Sequence, residues 1–210
     1  MYEAHVTVDV EESLNERLEN LASREGLTLH KFTTPKLNGQ GYFVETMLSS
    51  RLFSPLHIET LLRREFRSDS IVKRSKEETC LLTPTPSVMY LEGHLIVKKE
   101  QFLQIMEVNG ELIETHEIFS QVYPSWKADT DGREIHLTFY GNEPRGYNVP
   151  TYSIAAFRRS YREIISILRY YGVDLLSIRA EKVVRDTSPC YTLGAWLNLK
   201  EIFDRGVWEQ

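Results

Sequence analysis

The sequence predicts an α+β protein made of two tandem ferredoxin-like units whose polar sheet faces meet in a shared groove. Three observations carry that prediction. A strand pattern, Glu-x-His-apolar-x-apolar, occurs at Glu3-Ala-His5-Val-Thr7-Val, at Glu92-Gly-His94-Leu-Ile-Val and at Glu134-Ile-His136-Leu-Thr138-Phe. The elements of the first half read in the order βαββαβ, the split βαβ arrangement, and the second half reads in the same order with longer loops. Finally, an offset of 89 residues lays His5 on His94, brings His30 near His116, and sets 42–48 against 135–140 and 70–74 against 177–182, as an internal repeat would. The expected units span 1–84 and 88–190, with 191–210 as a C-terminal tail packed on the body.

Each element follows from local chemistry. Side chains alternate along a strand, so Tyr2, Ala4, Val6 and Val8 share one face and Glu3, His5, Thr7 and Asp9 the other. Ser13-Leu-Asn-Glu16 reads as a capping box, Leu14, Leu18 and Leu21 as the stripe of the helix it opens, and Gly26 as the stop. A short strand over 27–33 is broken by Pro35 and an Asn38-Gly39 turn, and a third strand covers 41–48. Ser54-Pro55 starts a second helix that buries Ile58, Leu61, Leu62 and Phe66. A fourth strand covers 70–76, and Thr83 to Ser87 is a turn-rich linker.

In the second half, a strand over 90–98 leads to a short helix over 99–106, ended by Asn109-Gly110. Strands follow over 112–122 and 133–140, joined by the polar stretch 128–132. A Gly/Pro/Asn loop then covers 141–150. The helix over 154–171 lines up Ile154, Phe157, Tyr161, Ile164, Ile165 and Leu168. Gly172 ends it, a last strand covers 174–186, and Trp196, Phe203 and Trp208 anchor the tail.

A chain of 210 residues, 41% hydrophobic and 26% charged, has material for a real core. Its net charge of -5 argues against a protein held to nucleic acid by bulk charge. Cys80 and Cys190 are too few for a disulfide framework or a cysteine zinc site. They fit a reducing compartment, with a single bridge as the alternative. No apolar run approaches the roughly 20 residues needed to cross a bilayer, and the acidic N-terminal strand lacks a leader pattern. The expected location is the cytoplasm, with no membrane partner.

A groove lined by Glu3, His5, Thr7, Glu92, His94, Glu134, His136, Thr138 and Tyr140 supports three readings. His5-Val-Thr7-Val and His136-Leu-Thr138-Phe both satisfy His-x-Thr-apolar, and this resembles the two-histidine (LigT-like) phosphoesterases. The resemblance implies a bilobal α+β fold, His5 and His136 as the general acid and base, Thr7 and Thr138 as phosphate holders, and no cofactor. Two imidazoles can divide proton removal and donation near neutral pH. Arg179 and Lys182 would add anion contacts. The ligand would be a small phosphate compound or nucleotide, such as an RNA end.

The second reading is a metal centre, because Glu3/His5, Glu92/His94 and Glu134/His136 each place a carboxylate and an imidazole on one strand face. Cross-strand Glu–His hydrogen bonding without a metal is the alternative. The third is non-catalytic binding of a nucleotide or a protein. Arg158, Arg159, Arg162, Arg169, Arg179, Lys182 and Arg185 are interleaved with Tyr147, Tyr152, Tyr161, Tyr170 and Tyr171, and Lys73-Arg74-Ser75-Lys76 occupies the matching strand of the first unit. A second copy of the chain filling the groove, as a homodimer, stays open in this reading.

Overall fold

The structure, a computed structural model, describes residues 2–35, 42–68, 70–85, 87–108, 110–130, 132–140, 153–188 and 197–206. Its strands are β1 (Tyr2–Val8), β2 (Thr28–Pro35), β3 (Tyr42–Ser50), β4 (Val72–Cys80), β5 (Tyr90–Lys98), β6 (Val122–Lys127), β7 (Glu134–Tyr140) and β8 (Ser177–Asp186). Its helices are α1 (Asn15–Glu25), α2 (Pro55–Phe66), α3 (Lys99–Val108), α4 (Gly110–Thr115), α5 (Ile154–Tyr170) and α6 (Leu199–Arg205).

The strands close into one antiparallel barrel in the order β1-β3-β2-β6-β7-β5-β8-β4. This overturns the expected pair of ferredoxin-like units with open sheets facing each other across a groove. Four strands of each half are hydrogen-bonded side by side, but their outer edges join. β4 pairs with β8 from Lys76↔Asp186 to Cys80↔Glu181, and β2 pairs with β6 through Phe32↔Lys127 and Thr33↔Trp126. The physical reason is the edge: an open four-stranded sheet leaves two rows of unpaired N–H and C=O groups, and closure joins those edges to each other. The polar faces therefore enclose a lumen.

Alternation sorts each strand between lumen and helices. On β1, Ala4, Val6 and Val8 turn outward and pack with Leu48 against Leu18 and Leu21 of α1 and Ile58 and Leu62 of α2. On β5 and β7, Leu91, Leu95, Val97, Ile135, Leu137 and Phe139 turn outward under Phe102 and Ile105 of α3, Phe157, Ile164 and Leu168 of α5, and Leu199 and Ile202 of α6. In α2, Ser54 Oγ accepts the His57 N–H at 3.3 Å, while Leu61 and Phe66 are partly buried. Gly26 closes α1 at φ 66°. No helix among the described residues is long and apolar enough to cross a membrane.

Two local expectations differ. A 3-10 turn over Glu12–Leu14 precedes α1, so Leu14 is the N-cap, and no side chain caps the helix. The Leu14 N–H is already bonded to the Glu11 carbonyl at 2.8 Å, which displaces the Ser13 capping box. The segment read as a strand over 112–122 is instead α4 followed by a 3-10 turn over Glu117–Gln121, and β6 starts only at Val122. Ile113 and Phe119 are both buried there; a short apolar run fits either periodicity. The Asn38-Gly39 turn, Asn109, the 141–150 loop, Tyr147, Tyr152, Cys190, Trp196 and Trp208 lie outside the described residues. Phe203, on α6, packs against the second core.

Gly93 is the tightest point of the wall. A Cβ built there would lie 2.7 Å from Tyr161 Cδ2 and 2.8 Å from Cζ. Tyr161 cannot retreat, because its ring stacks on Phe139 and Phe157 and its hydroxyl is 2.8 Å from the carbonyls of both His94 and Arg179. Gly93→Ala is expected to cost about 3 kcal/mol, the upper end for overpacking a core, measurable by urea unfolding.

Candidate functional site

Eight strands enclose just enough space for side chains or one small ligand. Here a cavity of about 260 Å³ lies in the lumen, near the lower end of the roughly 300–1,000 Å³ of small-molecule sites. Glu3, His5, Thr7, His94, His136, Thr138, Tyr140 and Arg179 all line it. Lys182 does not: it faces outward, and its Nζ donates to the Thr83 carbonyl at 2.8 Å. Glu134 also lies off the cavity, 3.8 Å from Lys127 Nζ.

The closest grouping joins β1, β4, β5 and β8. His5 Nε2 lies 2.8 Å from Glu78 Oε1 and 3.9 Å from Glu3 Oε1. His94 Nε2 lies 3.3 Å from Glu92 Oε2 and 3.6 Å from Glu181 Oε2. Lys76 Nζ sits 2.8 Å from Glu78 Oε2 and from Glu92 Oε2. Arg179 reaches Glu3 Oε2 at 2.5 Å and Glu181 Oε1 at 2.6 Å, and Arg51 Nε meets Glu3 at 3.0 Å.

Burial alone would raise the Glu92 carboxyl, but the Lys76 ammonium and then His94 hold it at about 2. Burial likewise opposes ionisation of Glu78, and Lys76 and His5 overcome it to hold this carboxyl well below its usual range. Glu181 goes the other way. Burial, a hydrogen bond to Glu78 and the Glu78 charge push it up to about 9. Of the two, Glu181 is the carboxyl whose ionisation is opposed. Burial also works against Glu3, which the Arg179 and Arg51 guanidiniums keep low. His5 Nδ1 and Glu92 Oε1 are buried without a hydrogen-bond partner among the described residues, a costly arrangement unless something else meets them.

The deeper end of the lumen is a closed polar network. Arg74 Nε donates to Asp186 Oδ1 at 3.0 Å, its Nη2 donates to Asp186 Oδ2 at 2.5 Å and to the Tyr90 hydroxyl at 2.8 Å, and Tyr90 in turn donates to Asp186. A register shift opposite Glu77 and Glu78 lets β8 turn both Glu181 and Asp186 inward. Thr7 Oγ1 donates to Glu45 Oε1 at 2.9 Å. Burial raises the Glu45 carboxyl, more than the nearby Arg74 charge lowers it. The folded state then binds a proton that the unfolded chain has lost, so the stability from Glu45 is fully present below its unfolded value and declines as pH rises through the folded one. In Glu45→Gln, the fall in thermal stability from about pH 5 to about pH 8 is expected to be smaller than in the wild type.

His136 stands on the other side of the barrel. β1 and β7 are four strands apart in the closed ring of eight, so His5 and His136 face each other across the cavity. His136 packs edge-on against Phe32 at 5.2 Å between ring centroids. The two threonines of the His-x-Thr segments have internal partners: Thr7 serves Glu45, and Thr138 Oγ1 lies 3.2 Å from His94 Nδ1.

Sequence reasoning missed Glu78, Glu181, Glu45 and Asp186 as members of this site. The fourth strand, expected over 70–76, runs to Cys80. Carrying the Arg74, Lys76 alternation one step further would have placed Glu78 on the inner face.

No protein-family description matches the chain, and no curated protein does. Among solved structures, the chain is similar to the small subunit of acetolactate synthase from Thermotoga maritima, at 14% identity over 89% of this chain and 95% of that one, with a TM-score of 0.31. It is also similar to the siroheme decarboxylase NirDL, at 11% identity over 99% of this chain and 78% of that one, with a TM-score of 0.28. Likeness of this degree carries no argument about this chain.

Proposed function

We propose that the lumen binds one divalent transition-metal ion between His5, Glu78, His94 and Glu181, and presents it to a small ligand in the cavity. One observation carries the reading. Two donor sets, Glu3/His5/Glu78 and Glu78/His94/Glu181, share Glu78, and within each set the ligand atoms lie within 4.8 Å of one another. Two neutral imidazoles and two ionised carboxylates carry a charge of about 2−, which balances a 2+ ion. Such mixed nitrogen and oxygen donors suit zinc, manganese, iron or nickel rather than a soft ion. A metal there would act as a Lewis acid on a ligand oxygen or activate a bound water. Equilibrium dialysis against zinc and manganese, followed by metal analysis, tests this: about one ion per wild-type chain is expected. Background uptake by a folded chain would overturn it.

A second reading, metal-independent hydrolysis of a phosphodiester between His5 and His136, draws on their positions on opposite walls of one cavity. A screen of linear, 2′,3′-cyclic and cyclic oligonucleotides with and without EDTA separates the two. Turnover that survives EDTA and is lost in His5→Ala and His136→Ala, but kept in His94→Ala, would favour this second reading. EDTA-sensitive turnover lost in His94→Ala would favour the metal.

A further inference from the structure

The cavity has two unlike walls. The β1, β4 and β8 side is charged, as described above. The other side carries rings and apolar groups, with Ser125 and Lys127 of β6 between Phe32 and His136: Met47 is paired with His30 across β3 and β2, and His30 stacks on Phe32 at 6.1 Å. Phe32 meets His136 edge-on at 5.2 Å, and His136 is paired with Ile96 across β7 and β5. These five rings and apolar groups line the cavity, and all five remain partly accessible, although the outward-facing residues beside them, such as Leu48, Leu95, Ile135 and Leu137, are fully buried under helices. Apolar surface left accessible inside a concave, otherwise charged site is the usual mark of a ligand contact.

Resting on the metal reading for one half of the site, we infer that the cavity takes a compact aromatic acid: a single ring against Phe32, His136 and Met47, with its carboxylate, or a carboxylate and adjacent hydroxyl, turned to the metal wall. The ring preference follows from the wall's chemistry. Phe32 and the two imidazoles offer edges and faces, and the Met47 thioether adds a polarisable contact that favours an arene over a saturated ring of the same size. The volume of about 260 Å³ admits one ring with its substituent. The oxygens point the other way because the cations that line the cavity already face carboxylates, Lys76 and Arg179 those of Glu78, Glu92, Glu3 and Glu181, Arg74 that of Asp186 and Lys127 that of Glu134, so an anionic group is held best by the metal's charge.

The test compares benzoate, salicylate and cyclohexanecarboxylate, matched in charge, by titration calorimetry on zinc-loaded and metal-free protein, with bound zinc assayed in the same samples. Benzoate is expected to bind zinc-loaded wild type about five-fold more tightly than cyclohexanecarboxylate, the size of one good aromatic contact. Salicylate is expected to bind more tightly still. Phe32→Leu, which keeps apolar volume and removes the ring, is expected to erase the benzoate preference while leaving zinc binding unchanged. Zinc bound with equal affinity for the two acids, or with a preference that survives Phe32→Leu, would overturn the inference and leave the metal reading standing. No zinc bound, with the ring preference intact in the metal-free protein, would reject the metal reading and keep the aromatic wall. No binding of either ring acid to zinc-loaded protein would also reject the inference.

Discussion

Asp186→Ala is expected to lower the unfolding free energy by about 3–5 kcal/mol, the cost of leaving one member of a buried ion pair alone. Arg74 is buried, and its raised pKa, in which the Tyr90 oxygen and then Asp186 outweigh burial, keeps its guanidinium charged. Asp186 accepts from Arg74 Nε, Arg74 Nη2 and the Tyr90 hydroxyl. Removing the carboxylate strands a cation and a hydroxyl where water has little access. The pair as a whole is a weaker source of stability, because both charges were desolvated to form it. The double variant Arg74→Met/Asp186→Leu is therefore expected to be more stable than Asp186→Ala, and a urea double-mutant cycle measures the difference. A loss below about 1 kcal/mol in Asp186→Ala would mean that the deep end of the lumen is open to solvent.

Glu78→Gln is expected to weaken metal binding by at least about 100-fold, or roughly 2.7 kcal/mol. Glu78 belongs to both donor sets, so its loss strikes each of them, whereas His5→Ala or Glu181→Gln removes one. An amide keeps the shape and can still accept from Lys76, so the barrel should survive. A circular dichroism spectrum like the wild type's, together with lost metal uptake, separates a ligand effect from unfolding. The expected order of residual affinity is wild type, then the single-set variants, then Glu78→Gln. Equal affinities across the series would place the ion elsewhere.

Much of this architecture is written in local patterns. Strand β5 is bounded where Tyr90 and Lys98 bound it, α2 opens at Ser54-Pro55 as its cap chemistry dictates, and the Glu3, His5, Thr7 face of β1 is the lumen face. Closure was not legible. Alternation tells which side chains share a face, but edge pairing such as β4 with β8 is a contact between residues more than a hundred positions apart, as Lys76 and Asp186 are, with no local signature. For the same reason an inward polar face read as a groove wall. The site was half legible. His5 and His94 stood out as rare imidazoles on repeated strands, yet Glu78 fell past the expected end of its strand. Glu181 stands between Arg179 and Lys182 in a basic stretch, where nothing local marks it as a lumen residue. What brings these four together is the side-by-side placement of β1, β4, β8 and β5, which only the closed barrel provides.

Whether Glu78 joins the two histidines around one ion is decided by a cobalt(II) titration. Saturation near one equivalent is expected, with visible absorption bands of a nitrogen- and oxygen-ligated cobalt centre. Those bands should be reduced in His5→Ala and in His94→Ala and absent in Glu78→Gln. Featureless spectra with uptake unaffected by all three substitutions would contradict this arrangement and leave the charged wall as an ion-pair network that holds the barrel together.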